Sequence, residues 1–268
     1  AMREPAAGTE AASTVKPALT VDERVEAVLA SMRPAEKIGQ MMMIGVLGTQ
    51  GDENSRYMLQ QYHIGGVILF DRNMAEPAQV RSLTAELQLQ AGGVVPLFIA
   101  LDEEGGEVVR MGDKLEAPPS PLEIGRSGRP ELAREWAQRT AKNLQALGIN
   151  VNLAPVADIG SIGTRHYSTN PAQVTDFVRA AADGYEAEHE FYALKHFPGI
   201  GRGTEDSHLD HVVIDAPAEQ LEAEDLMPFK VMFQEKKPEN YFVLVSHILY
   251  PALDANAPAS LSPRIMTV

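Results

Sequence analysis

The chain has 268 residues, 44% of them hydrophobic, enough for one large core of the size an α/β barrel builds. Its formal net charge of -14 repels nucleic acid and anionic membrane surfaces and favours neutral or cationic partners. It contains no cysteine, which excludes disulfides, zinc–thiolate sites and thiol nucleophiles, and no apolar run approaches the ~20 residues of a membrane-inserted helix.

Residues 1–19, AMREPAAGTEAASTVKPAL, are rich in Ala, Ser, Thr and Pro and read as a flexible leader or linker. No basic segment followed by an apolar one marks a signal peptide. A tether of this composition leans toward an exported, envelope-associated or extracellular protein, with a cytoplasmic location as the alternative. Order is expected from Thr20, where Thr20 and Glu23 form a capping-box pattern ahead of Val25, Val28 and Leu29.

Strand-length apolar runs then alternate with helical stretches. The runs are 41–46, 65–70, 96–101, 149–157, 191–194 and 241–245. They are apolar throughout, as strands covered on both faces should be. Helices are expected over 77–91, 131–148 and 171–188; the second carries Leu132, Trp136, Thr140, Leu144 and Leu147 on one face, with Gly148 as its cap. This alternation predicts a parallel sheet with helices outside. Polar groups follow the runs: Asp71-Arg72-Asn73, Asp102-Glu103-Glu104, Asp158, Lys195-His196 and Ser246-His247. In a (β/α) barrel those strand ends converge on the face that carries the active site. An open doubly wound sheet would gather ligands in the same way, but no GxGxxG follows a first strand.

The stretch KHFPGIGRGTEDSHLDH, 195–211, admits several readings. Asp206, His208, Asp210 and His211 could ligate a metal, but their spacing fits no familiar zinc pattern and there is no HExxH, so no metal is assigned. Gly199, Gly201 and Gly203 could present backbone N–H groups to a phosphate, but the P-loop pattern is absent. Asp206 and His208 at i, i+2 can form an orienting carboxylate–imidazole pair for acid/base work, a weak signal alone and a better one just past a strand end.

These segments together carry a resemblance. KHFPGIG…DSH is similar to KHFPGHG…DSH of the family 3 glycoside hydrolases, in their β-N-acetylglucosaminidase branch. YHIGGVILFDRN, ALDEEGGEVVRM, NVNLAPVADI, IGTRHYSTNPAQV and SHILYPALD…PASLSP resemble family segments in the same order, over nearly everything from residue 20 onward. The resemblance implies a (β/α)8 barrel over 20–268, with about six strands present. It implies a retaining exo-enzyme that removes terminal N-acetylglucosamine from cell-wall fragments and needs no cofactor. By the same resemblance His208 is the general acid/base and Asp206 its orienting partner, while Asp102, Arg110, Arg165, Lys195 and His196 form the sugar pocket. The partner is a small carbohydrate; oligomeric state is not readable.

Three departures stand out. Ile200 replaces the His of the GHG segment, Glu103 stands where the family often has Gln, and the loop after Asp158 is short. Family members carry the nucleophilic Asp beyond the PASLSP region, so the expectation is a nucleophile outside the sequence and a barrel incomplete at its C-terminal end. A β-glucosidase-type or phosphorolytic relative, a metal-dependent barrel hydrolase and a catalytically silent sugar-binding protein are the alternative readings.

Overall fold

The computed structural model describes residues 19–93, 95–160, 162–203 and 212–267. Asp206, His208, Asp210 and His211 lie outside the described residues, as does nearly all of the expected leader. Thr20 caps the helix Val21–Ser31, and its reciprocal bonds with Glu23 close the expected capping box.

Among the described residues six strands follow in chain order: β1 (Met43–Gly45), β2 (Gly66–Ile68), β3 (Phe98–Leu101), β4 (Val151–Asn152), β5 (Phe191–Phe197) and β6 (Tyr241–Val245). They form one sheet in that same order, and every neighbouring pair is parallel. The sheet curls through about 198°, a little over half of a barrel wall. Helices Glu53–Tyr62, Pro77–Ala91, Pro130–Gln145, Pro171–Ala187 and Met227–Glu235 lie in the crossovers. This is the expected (β/α) barrel architecture, with six strands and an open side.

Packing follows burial. One cluster joins Val67, Ile99 and Leu101 of the sheet, with Leu69 just past β2, to Leu59, Leu83 and Leu87 of the helices Glu53–Tyr62 and Pro77–Ala91. Another joins Tyr192 and Leu194 to the pair of helices Pro130–Gln145 and Pro171–Ala187. Each fully buried aliphatic side chain contributes about 1.5–3 kcal/mol. The helix Pro130–Gln145 is capped by Ala146 rather than by Gly148, and its expected face holds at Thr140, Leu144 and Leu147, which are buried, but is shifted in its first half, where Ala133, Ala137 and Ala141 are buried and Leu132 and Trp136 flank them. The cause is close approach to the neighbouring helix. A side chain at Gly184 would lie 2.5 Å from the Arg134 carbonyl, so small residues meet along this contact.

The expectation that all strands are covered on both faces holds for the middle of the sheet and fails at its edges. Met43 of β1 and Phe242 and Leu244 of β6 stay about two-fifths exposed. As the outer strands of an open sheet they have no further strand beside them among the described residues, and the wall opposite their inner side is open.

Strand periodicity orders the inner wall in layers. At the strand starts Phe98, Phe191 and Phe242 meet edge-to-face, Phe98 lying 5.3 and 5.2 Å from the other two rings. Two residues on, Ala100 and Ala193 are fully buried. Two further residues bring Asp102 and Lys195. The alternation that fills the floor with aromatic rings therefore brings charge to the strand ends.

Candidate active site

Asp102 follows β3 directly, and Lys195 is the fifth residue of β5. Lys195 Nζ donates to Asp102 Oδ1 at 2.7 Å and reaches Glu104 Oε1 at 2.5 Å. Arg110 Nη2 donates to Asp102 Oδ2 at 2.8 Å, so both oxygens of that carboxylate are taken by cations. Arg110 reaches it because the chain turns sharply after Glu104. Gly105 has φ +98, and a side chain there would lie 2.3 Å from the Pro119 carbonyl. Only glycine fits such a turn and such an approach.

Arg165 comes from the loop after β4. Its Nε and Nη2 donate to the two oxygens of Glu104, both at 2.8 Å, in the fork geometry that matches a carboxylate. Arg165 Nη2 also lies 3.3 Å from His196 Nε2. On the other side of that ring, Nδ1 sits 2.7 Å from Asp158 Oδ2. A carboxylate accepts and a guanidinium donates, so the ring carries its proton on Nδ1 and accepts at Nε2. Asp158 is fully buried, and its other oxygen accepts the backbone N–H groups of His196 and Ile200.

Electrostatics sorts the acids. Burial would push the Asp102 carboxyl up, but Lys195 and Arg110 outweigh it and hold it below the usual carboxylate range. Glu104 behaves alike, with Arg165 and Lys195 overcoming its burial. Glu103 differs. Burial dominates there, and its carboxyl is pushed up to about 7. Lys195 and Glu104 side chains are 1% exposed, whereas Asp102 keeps 15%, Arg110 20%, Arg165 25% and His196 16%. The last four therefore present polar edges to a ligand, and the buried Lys195–Glu104 pair braces them from below.

All five residues expected to form a sugar pocket are thus brought together. His208 and Asp206, expected as the acid/base pair, fall outside the described residues. The roots of their segment are fixed: Ile200 N–H is held by Asp158, and the Tyr250 hydroxyl donates to the Gly199 carbonyl at 2.8 Å. Ile200, the departure from histidine, is half-buried and packs against the cluster that holds Ile214, Leu221, Ile248 and Tyr250. Glu104 and Asp158 were given no role from the sequence, yet they hold Arg165 and His196. Their signal was their place directly after apolar runs, where Asp102 also stands.

A family model described as the glycosyl hydrolase family 3 N terminal domain matches residues 34–268. A beta-hexosaminidase of Xanthomonas euvesicatoria pv. vesicatoria (strain 85-10) is 36% identical over 234 residues, covering 84% of this chain and 68% of its own. The structure of a glycoside hydrolase family 3 beta-N-acetylglucosaminidase from Paenibacillus sp. str. FPU-7 superposes with a TM-score of 0.83 at 35% identity, over 88% of this chain and 46% of that one. NagZ from Neisseria gonorrhoeae, in complex with N-trifluoroacetyl-D-glucosamine, gives a TM-score of 0.76 at 31% identity, over 82% of this chain and 67% of its own. The chain therefore spans less than half of the Paenibacillus structure and about two thirds of the other two relatives.

Proposed function

The chain belongs to glycosyl hydrolase family 3, and from that premise we propose that it acts as a retaining exo-β-N-acetylglucosaminidase on cell-wall fragments. The observation that carries this reading is the convergence of Asp102, Arg110, Arg165 and His196 at the strand ends, each with an exposed polar edge above the buried Lys195–Glu104 pair. Sugar hydroxyls are both donors and acceptors. A carboxylate held ionised by two cations accepts from them strongly, and the forked guanidinium groups donate in return. The relative from Neisseria binds an N-acylated glucosamine, which supports the same substrate class here.

In the proposed reaction Asp102, Arg110, Arg165 and His196 fix the terminal sugar, with Lys195 acting through Asp102. An aspartate nucleophile attacks the anomeric carbon and forms a glycosyl-enzyme intermediate. His208, oriented by Asp206, gives a proton to the leaving oxygen and then takes one from the attacking water. None of residues 1–268 is assigned as the nucleophile.

The test uses the full-length protein and nitrophenyl glycosides. Release from the N-acetyl-β-glucosaminide should exceed release from the β-glucoside by at least about 100-fold, because a site that pairs with the acetamido group leaves polar atoms unpaired without it. His208→Ala should slow glycosides with poor leaving groups most. Preference for the glucoside would overturn the substrate class, and an unchanged His208→Ala rate would remove His208 from its role.

A further inference from the structure

One carboxyl at this site takes no part in the charge network. Glu103 lies between Asp102 and Glu104 in sequence and is 2% exposed, yet among the described residues it pairs with no cation side chain. Its backbone is clamped from both sides by Asn152, whose Oδ1 accepts the Glu103 N–H and whose Nδ2 donates to the Glu103 carbonyl, both at 3.0 Å. Its side-chain Oε2 accepts the backbone N–H of Arg110 at 2.9 Å. That bond fixes the main chain at the residue whose guanidinium sits on Asp102.

Among the described residues, two polar atoms in this contact have no partner. Glu103 Oε1 is buried and unpaired, and so is Arg110 Nε. A neutral carboxyl tolerates such burial far better than an ionised one. An ionised Oε1 would instead demand a donor, and Arg110 Nε–H is a spare donor on the residue already in contact.

We propose that Glu103 is a positioning residue of the sugar pocket whose protonation state decides whether the Arg110 guanidinium stays on Asp102. This rests on the reading of the pocket given above. In the neutral form Glu103 anchors the Arg110 main chain and leaves its guanidinium to Asp102. On losing its proton, Glu103 competes with Asp102 for that guanidinium and places a second negative charge beside it. The groups facing Glu103 are Asp102 on its own strand end, Asp71 after β2, Arg110 on the returning loop, and the Tyr185 hydroxyl of the helix Pro171–Ala187, which Asn152 contacts at 2.9 Å. Burial is the main force against ionisation and the two acids add to it, while Arg110 offsets the sum only in part. The carboxyl pushed up to about 7 agrees with this arrangement.

The experiment compares the full-length protein with its Glu103→Gln variant. Gln keeps the shape and an acceptor for the Arg110 N–H but cannot ionise. The KM for the nitrophenyl N-acetyl-β-glucosaminide should rise about five-fold or more between about pH 6 and about pH 8.5 in the parent, and by less than about two-fold in Glu103→Gln. The amide resonance of Arg110 should titrate with a midpoint near about 7 in the parent and stay flat in the variant. An equal rise of KM in both proteins, or an Arg110 amide that is flat in the parent, overturns the proposal. A parent that cleaves no N-acetylglucosaminide at any pH overturns the proposed function instead. The amide titration then decides for Glu103 alone: present and abolished by Gln upholds it, absent or retained overturns it.

Discussion

Lys195 Nζ and Asp102 Oδ1 meet at 2.7 Å across β4, joining the end of β3 to β5 over a strand that supplies neither group. The two residues lie 93 apart in the chain. Through β4 the strands β3 and β5 are staggered by two residues, Ala100 and Phe191 both pairing with Val151, as the tilted strands of a barrel wall are, and each presents an aromatic ring at its start, an alanine two residues on and a charged group two residues beyond that. The same ammonium reaches Glu104, so one buried cation ties two carboxylates to the sheet.

Removing that cation should be costly. Lys195→Met leaves Asp102 and Glu104 with only the two arginines, and deleting one partner of a buried ion pair costs about 3–5 kcal/mol. Urea unfolding of the full-length protein should show a loss of that order. Lys195→Arg should restore little of it, because a planar fork does not fit a buried site shaped for a compact ammonium. A loss below about 1 kcal/mol would mean the ammonium does not carry this network.

Asp158→Asn should change a tautomer rather than a charge pattern alone. The Asn Oδ1 can still accept the N–H groups of His196 and Ile200, but its Nδ2 would face His196 Nδ1 as a donor. The ring then has to accept at Nδ1 and move its proton to Nε2, where it meets Arg165 Nη2. Ring nitrogen shifts by NMR should report this exchange. An unchanged pattern would show that Asp158 does not set the tautomer.

Much of this site was legible before any coordinates. A polar residue follows five of the six apolar runs, and parallel strands collect such residues on one face, which places Asp102, Lys195 and His196 there; Arg110 and Arg165, farther along their loops, joined them only through the family resemblance. The pairings could not be read. Arg165 and Glu104 are 61 residues apart, and nothing in their spacing says that one forks onto the other. Strand periodicity places Lys195 on the inner wall, but it does not show that Glu104 closes beneath it. The helix Pro130–Gln145 shows a similar limit: Thr140, Leu144 and Leu147 are buried as its apolar face predicts, but toward Gly184 a row of alanines makes the contact and Leu132 and Trp136 flank it, because backbone proximity there outweighs side-chain hydrophobicity. The exposed edges at β1 and β6 could not be read from apolar content, but they follow from a count of about six strands where eight close a barrel.

Away from the site, Glu190 predicts a pH dependence of stability. It is 3% exposed, its Oε1 has no partner among the described residues, and burial pushes its carboxyl up to about 8. The unfolded chain loses this proton near the ordinary value of 4.5, so between there and about 8 the folded state holds more protons. Stability contributed by the group is therefore full below about 4.5, declines as pH rises, and is lost above about 8. Glu190→Gln removes the titration. Relative to the parent, the variant should gain on the order of 3 kcal/mol between about pH 5 and about pH 8.5 in urea unfolding. Parallel pH profiles for the two proteins would refute this.

Arg165→Lys separates charge from geometry at the pocket itself. Arg165 gives Glu104 two N–H bonds of 2.8 Å and still offers Nη2 to His196 at 3.3 Å. A lysine can place one ammonium near Glu104, whose burial Lys195 already helps to offset, so the fold should lose only about 1 kcal/mol. The His196 Nε2 contact, however, needs the second arm of the fork, and an ammonium at Glu104 cannot supply it. Under the proposed function, both a sugar-facing donor and the setting of the imidazole are then lost together. The full-length variant should show a KM for the N-acetylglucosaminide raised by about 10- to 100-fold, with a smaller change in kcat, as expected when ground-state and transition-state contacts are removed alike. Steady-state kinetics checks the split. If kcat falls with KM unchanged, Arg165 acts on the reaction step rather than on holding the sugar, and its place beside His196 gains a different meaning from its place on Glu104.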